Sequence, residues 1–97
     1  MLPHYRIRRV EVWAELAIHF VDEDGTERPL FTRQLIEPGD APNAAALAIL
    51  GDQLHGDWPR AWRLVDDFER EFLSGEFRER TIDAGAVAQW IERRTLG

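Results

Sequence analysis

Hydrophobic and polar residues alternate from Val10 to Phe20, which is the period of a half-buried strand. A helical period fits part of the same segment, so the residues that follow it decide between the two. Asp24-Gly25 is a strong hairpin signal, because Gly and Asp tolerate the positive φ angles of a type I′ turn. The pattern therefore predicts a strand, a turn and a partner strand from about Arg28 to Ile36. Whether Tyr5 to Arg8 forms a preceding strand or a lead-in stays open.

Pro29 is restricted to the start or the edge of that partner strand, because proline lacks the N–H that a sheet ladder needs. A loop rich in Pro, Gly, Asp and Asn then closes the β region at residues 37–43. The second half of the chain has the spacing of helices. Strands followed by helices predict an α+β fold, with an N-terminal antiparallel hairpin or small sheet packed on three C-terminal helices.

Three helices are predicted, each with a residue that can cap its first turn. Asn43 precedes a helix through about Leu54 that ends at His55-Gly56, and Asp57 precedes one that ends at Ser74-Gly75. Asp83 precedes the last helix. The segment from Glu76 to Ile82 is ambiguous and is also compatible with a short strand. The inward stripes fall at spacings of three and four, at Leu47, Leu50 and Leu54 in the first helix, at Trp58, Ala61, Trp62, Val65, Phe68 and Phe72 in the second, and at Ala84, Val87, Ala88 and Ile91 in the third.

The predicted core combines one face of the strand with these helical stripes. Its members are Val12, Leu16, Ile18, Leu47, Leu50, Val65, Phe68, Phe72, Val87 and Ile91. Hydrophobic residues make up 44% of the chain and include four Trp and five Phe, enough apolar surface for one core. We therefore expect residues 1–97 to form a single domain.

Composition excludes several kinds of chemistry. The chain has no cysteine, so it holds no disulfide, thiolate zinc site, iron–sulfur cluster or cysteine nucleophile. It also has no lysine, which excludes Schiff-base catalysis. The longest apolar run, Ala44 to Leu50, is too short for a membrane span or a signal peptide. These features predict a cytoplasmic protein without a cofactor.

The net charge is −6, which argues against broad binding to the phosphate backbone of nucleic acids and is compatible with a basic protein partner. Arg6, Arg8 and Arg9 form the one local basic cluster in the sequence. A charged strand entry that discourages edge-to-edge pairing explains this cluster, and a nucleic-acid contact is the alternative.

Asp52, His55 and Asp57 are the best candidate for a metal site, because an imidazole and two carboxylates lie within six residues. A solvated helix end, with His55 at the negative pole of the helix dipole, explains the same grouping. The carboxylates on the second helix, Asp66, Asp67, Glu69 and Glu71, could be invoked as general acids and bases. Their spacing favours exposed ion pairs, from Arg63 to Asp67 and from Asp66 to Arg70.

Trp13 lies on the charged face of the predicted strand, between Glu11 and Glu15. A tryptophan in such surroundings either packs across to a neighbouring strand or contributes to a partner-binding surface. The candidate partner-binding residues are therefore Trp13, Glu11, Glu15, Asp66 and Asp67. Loss of partner capture without loss of stability in Trp13→Ala would favour the interface.

The segment from Ala45 to Leu50, followed by Asp52, Gly56-Asp57, Ala61 to Val65, Phe68 and Glu71-Phe72, resembles a family of small uncharacterised domains. These domains are encoded in bacteria, haloarchaea and their mobile elements, and Asp83 to Ile91, with Trp90, is similar to their last helix. The resemblance covers about half of the chain and implies a short β region before three helices. No activity or site residue follows from it, and residues 38–43 differ from the Gly-rich, aromatic approach of the family.

Small size, acidity and this setting favour a non-enzymatic protein-interaction module. The hypothesis in its specific form is a phage- or plasmid-associated inhibitor of a host defence or nucleic-acid-handling protein, in the manner of anti-CRISPR proteins. A small metal-dependent hydrolase built on Asp52, His55 and Asp57 is one alternative. A nucleic-acid accessory domain that uses Arg6, Arg8 and Arg9 is the other. A homodimer through the helical half is compatible with the tryptophans Trp58, Trp62 and Trp90.

Overall fold

A computed structural model of the chain describes residues 2–10, 15–30, 41–74 and 79–96. The elements follow the chain in the order β1, β2, β3, α1, α2, β4 and α3. Their bounds are β1 His4–Val10, β2 Glu15–Val21, β3 Glu27–Pro29, α1 Ala41–Gln53, α2 Trp58–Phe72, β4 Arg80–Asp83 and α3 Ala84–Leu96. The fold is α+β, as the sequence predicts.

The four strands form one antiparallel sheet in the order β3-β2-β1-β4. Tyr5 and Ile7 of β1 lie opposite Phe20 and Ile18 of β2, and Tyr5 also lies opposite Ile82 of β4. Tyr5, Ile7, Ile18 and Ile82 are all buried, so they mark the face of the sheet that meets the helices. The open question about Tyr5 to Arg8 is answered, because this segment lies within β1 at the centre of the sheet.

The prediction of one strand from Val10 to Phe20 is wrong, since Val10 is the last residue of β1 and pairs with Glu15, the first residue of β2. The buried positions also change parity between the two strands, from Tyr5 and Ile7 to Ile18. An alternating pattern does not reveal such a break when apolar residues continue on both sides of it.

The hairpin at Asp24-Gly25 is confirmed, but its geometry is not type I′. Gly25 has φ +87°, whereas Asp24 is outside the positive-φ region that a type I′ turn requires. The N–H of Gly25 donates to the Asp22 carbonyl over 2.9 Å, and the N–H of Asp22 donates to the Thr26 carbonyl over 2.9 Å. This is the three-residue hairpin with glycine in the left-handed position. The partner strand begins with Glu27, and the described part of it ends at Pro29; positions 31–36 lie outside the described residues.

Helix α1 is buried on all sides from Ala45 to Leu50, which explains why its sequence shows no polar face. The predicted cap at Asn43 is wrong, because α1 already includes Ala41. Its end at His55-Gly56 is confirmed. The N–H of Gly56 donates to the Gly51 carbonyl, and the N–H of His55 donates to the Asp52 carbonyl. His55 has φ +53°. Together these features form a Schellman motif.

The caps predicted for the other two helices are confirmed. A carboxylate oxygen of Asp57 accepts the N–H of Arg60 over 3.3 Å, and one of Asp83 accepts the N–H of Ala86 over 2.9 Å. Asp83 is also the last residue of β4, so the ambiguous segment from Glu76 to Ile82 ends in a strand. Helix α2 ends at Phe72, just before the predicted stop.

The core is largely the predicted one, with the buried members Ile18, Leu47, Leu50, Val65, Phe68, Val87 and Ile91. Phe72 and Leu54 are half-buried, and Val12 and the side chain of Leu16 lie outside the description. Three predicted inward residues are wrong: Ala88, Trp58 and Trp62 are exposed. Trp90 is buried instead, against Phe68 at 5.6 Å and Phe72 at 5.9 Å between ring centroids. None of the helices described is long and apolar enough to cross a membrane.

Candidate functional site

The metal-like grouping of Asp52, His55 and Asp57 does not converge. No three His, Asp or Glu side chains among the described residues stand close enough together to hold a metal ion. Asp57 is occupied as the cap of α2, and His55 is exposed at the end of α1. Asp52 turns the other way, toward the sheet. The grouping in sequence therefore corresponds to two helix ends and one part-buried contact, which does not support the metal-dependent hydrolase.

Asp52 joins α1 to the sheet through Tyr5. The Tyr5 hydroxyl donates to one oxygen of Asp52 over 2.7 Å and accepts from the amide nitrogen of Gln53 over 2.8 Å. Arg28 of β3 donates to the other Asp52 oxygen over 2.9 Å, and its guanidinium lies 5.3 Å from the centre of the Phe20 ring. Burial and the neighbouring carboxylate hold the pKa of Tyr5 far above its usual value. The Tyr5 hydroxyl therefore stays protonated and joins β1 to α1 as a donor to Asp52 and an acceptor from Gln53.

One side of α2 combines aromatic and acidic side chains, and we call Trp58, Trp62, Asp66 and Glu69 the α2 flank. At about 100° per residue, these four lie within about 80° of one another around the helix. Trp58 is 41% exposed and Trp62 is 50% exposed. Asp66 is exposed, and no residue that the structure describes pairs with it. The flank therefore presents two large apolar side chains and a free carboxylate to solvent.

Trp58 is held at one end of this flank by contact with Gly51 of α1. A β-carbon at position 51 would stand 2.3 Å from the Trp58 ring, so no other residue fits there without displacing the indole. Close packing against Trp58 is therefore a reason for glycine at position 51 of α1.

Asp67, the other carboxylate predicted to bind a partner, is engaged within the fold. Its oxygens lie 2.6 Å from Arg94 of α3 and 3.7 Å from Arg70. The predicted pairs Arg63–Asp67 and Asp66–Arg70 are wrong within the described chain, since Arg70 turns to Asp67 instead. Asp67 thus ties α2 to α3 and leaves Asp66 as the carboxylate available to a partner.

Glu69 lies on the buried side of the flank. One of its carboxylate oxygens is inaccessible to solvent and has no hydrogen-bond partner among the described residues. Burial, followed by the charge of Asp66, raises the pKa of Glu69, while a hydrogen bond from Asn43 acts in the opposite direction. The ionised form is therefore less favourable in the fold than in the unfolded chain.

The variant Glu69→Gln should be more stable than the wild type at neutral pH and should lose this advantage in acid. A raised folded-state pKa means that the penalty is absent below the unfolded pKa, about 4.3, and grows as pH rises through the folded pKa. Because Glu69 is only partly buried, we expect a gain of about 1 to 3 °C in Tm at pH 7.

Thermal unfolding of this variant should be compared with that of Glu71→Gln, which removes the same charge from an exposed position of α2. An equal gain in both variants, or a gain that persists at pH 4, would show that general charge repulsion rather than burial of Glu69 is responsible.

The N-terminal candidates are only partly described. Trp13 and Glu11 lie outside the described residues, and Glu15 is described as the first residue of β2 without its side chain. Their assignment to a partner surface stays a prediction. Of the basic cluster, Arg6 is paired with Glu27 of β3 at 3.2 Å, across the face of the sheet.

Comparison with family models, with curated proteins and with solved structures finds no significant match for this chain.

Proposed function

We propose that this chain is a non-enzymatic protein-interaction module, and that a partner protein with a basic surface binds the α2 flank. The observation that carries the proposal is the exposure of Trp58 and Trp62 on successive turns of one helix. Tryptophan is enriched among the residues that dominate binding energy, because a rigid ring buries a large area with little loss of rotamer freedom.

The charge of the flank indicates the chemistry of the partner. Asp66 is exposed beside Trp62. A carboxylate next to an indole suits an arginine or lysine of the partner. Such a side chain can form an ion pair with the carboxylate and a cation–π contact with the indole. The net charge of −6 adds long-range attraction to a basic partner. In its specific form, the proposal is that a phage or plasmid carries this chain as an inhibitor of a host defence or nucleic-acid-handling protein. Such proteins have Arg- and Lys-rich grooves.

The test is affinity capture from a lysate of the natural host, followed by binding measurements with the purified partner. Trp62→Ala should weaken binding at least about 30-fold, the loss expected for a residue that contributes 2 kcal/mol. Asp66→Asn should weaken it about 3- to 10-fold, with a reduced dependence on salt. Thermal unfolding should change little in either variant, since both side chains are exposed.

Glu71→Gln is the matched control for Asp66→Asn. It removes one charge from the same helix, about 140° around the axis from Asp66. A partner that binds wild type, Trp62→Ala and Glu71→Gln equally would refute the α2 flank as the binding surface. Measurable turnover of a substrate by the purified chain would refute the non-enzymatic assignment.

A further inference from the structure

A cleft of about 320 Å³ opens between β3 and the turn that joins α1 to α2. Ala48, Gly51 and Leu30 supply its apolar lining, Trp58 stands at one side, and Arg28 and His55 supply its basic groups. The volume is at the lower end of the range for small-molecule sites, which combine an apolar lining with a few polar groups.

The indole of Trp58 packs against Gly51 at one side of the cleft. The ring atoms approach the backbone of Gly51 so closely that even a methyl group there would overlap them. With 41% of Trp58 still exposed, the ring offers a flat surface at the side of the cleft. A planar ligand could stack on it.

The polar groups of the cleft favour an anion. Asp52 is already satisfied, because Tyr5 donates to one of its oxygens and Arg28 to the other. Arg28 bonds Asp52 through one terminal nitrogen and has five N–H groups in all, so donors remain for a second anion. Its side chain is 56% exposed.

His55 adds an imidazole ring to the lining, and a ring N–H can donate a hydrogen bond to an anion. It lies at the end of α1 with φ +53°, a conformation that few residues other than glycine adopt. The Schellman hydrogen bonds around it hold this geometry, so the residue keeps a fixed place in the lining of the cleft.

We propose that this cleft binds a small planar aromatic ligand that carries one anionic group, with the ring stacked on Trp58 and the anion at Arg28 and His55. Aromatic carboxylates and nucleoside monophosphates share this chemistry. The site shares Trp58 with the α2 flank. It differs from the protein interface proposed above because it takes a small molecule and needs no partner protein.

The experiment is a titration of the ¹⁵N-labelled chain, followed by amide chemical shifts, with two charged probes and their neutral counterparts. Indole-3-acetate is compared with indole-3-acetamide, and adenosine monophosphate with adenosine. We expect at least one charged probe to shift the amides of Gly51, Asp52, His55 and Gly56, with a Kd of about 1 mM or lower. Its neutral counterpart should bind about 10-fold more weakly, and the stronger of the two charged probes identifies the source of the ligand.

Trp58→Leu and Arg28→Gln should each weaken binding of the charged probe about 10-fold. Trp62→Leu is the matched control, because it removes the other exposed indole of α2 from a position that does not line the cleft. Trp58→Phe, which keeps a flat ring, should restore part of the affinity if Trp58→Leu is poorly folded.

Equal binding of the charged and neutral probes would overturn the anion assignment, and an equal loss in Trp62→Leu would place the ligand elsewhere. The absence of shifts with either charged probe would refute the site. None of these results bears on capture of a partner protein by Trp62 and Asp66, so the two proposals fail separately.

Discussion

Phe68→Ala should lower the free energy of unfolding by about 3 to 5 kcal/mol, the usual cost of removing a fully buried aromatic ring. Phe68 has no exposed surface. Its ring lies 4.7 Å from that of Phe72 and 5.6 Å from that of Trp90, so it joins α2 to α3 through aromatic contacts. Truncation would leave a cavity between α2 and α3, which is the cause of this cost.

Urea-induced unfolding followed by circular dichroism measures this effect, and Phe72→Ala is the matched comparison. Phe72 belongs to the same aromatic cluster but is only half-buried, so its truncation should cost clearly less than that of Phe68. A loss below about 1 kcal/mol for Phe68→Ala would contradict the orientation of α2, because surface substitutions typically fall in that range.

Local signals in the sequence were sufficient to predict the turn and the helix starts that they control. Gly25 marks the hairpin because that position needs a positive φ, and Asp57 and Asp83 mark helix starts because their carboxylates accept exposed N–H groups. The inward positions Ala61, Val65 and Phe68 follow from helical spacing alone. Each of these features depends on residues within a few positions of one another.

The centre of the sheet depends on contacts that no local pattern reveals. Tyr5 pairs with Ile82 of β4, near the other end of the chain. Helix α1 lacks an amphipathic pattern because sheet and α2 cover it on different sides. The alternation around Val10 suggested one strand, and its division into β1 and β2 follows from pairing between them.

The candidate surface was predictable only in part. Asp66 and Asp67 were both predicted to bind a partner. Asp66 is exposed, whereas Asp67 is engaged by Arg94 of α3. Trp58 and Trp62 fit the apolar stripe of α2 by spacing, yet both lie at its margin and remain exposed. The sequence of a wide apolar stripe does not show which of its two edges is covered by a neighbouring helix.

Tyr5→Phe should lower the free energy of unfolding by about 2 to 3 kcal/mol, although the ring remains and the change removes one oxygen atom. Two hydrogen bonds are lost, and the one to Asp52 involves a charged acceptor, for which such bonds contribute about 1.5 to 3 kcal/mol. The amide of Gln53 would also lose its acceptor in a part-buried position. The Tyr5–Phe20 ring contact, with centroids 5.4 Å apart, should survive the substitution.

A double-mutant cycle with Asp52→Asn separates this network from other effects of the substitution. If the Tyr5–Asp52 bond carries most of the loss, the two changes together should cost clearly less than the sum of each alone, with a coupling energy of about 1 kcal/mol or more. Arg28→Gln serves as the second arm, because Arg28 bonds the other oxygen of Asp52 without touching the hydroxyl. If the losses in unfolding free energy of Tyr5→Phe and Asp52→Asn are strictly additive, the hydroxyl stabilises the fold independently of the carboxylate. The link from the sheet to α1 would then depend on apolar packing of the Tyr5 ring.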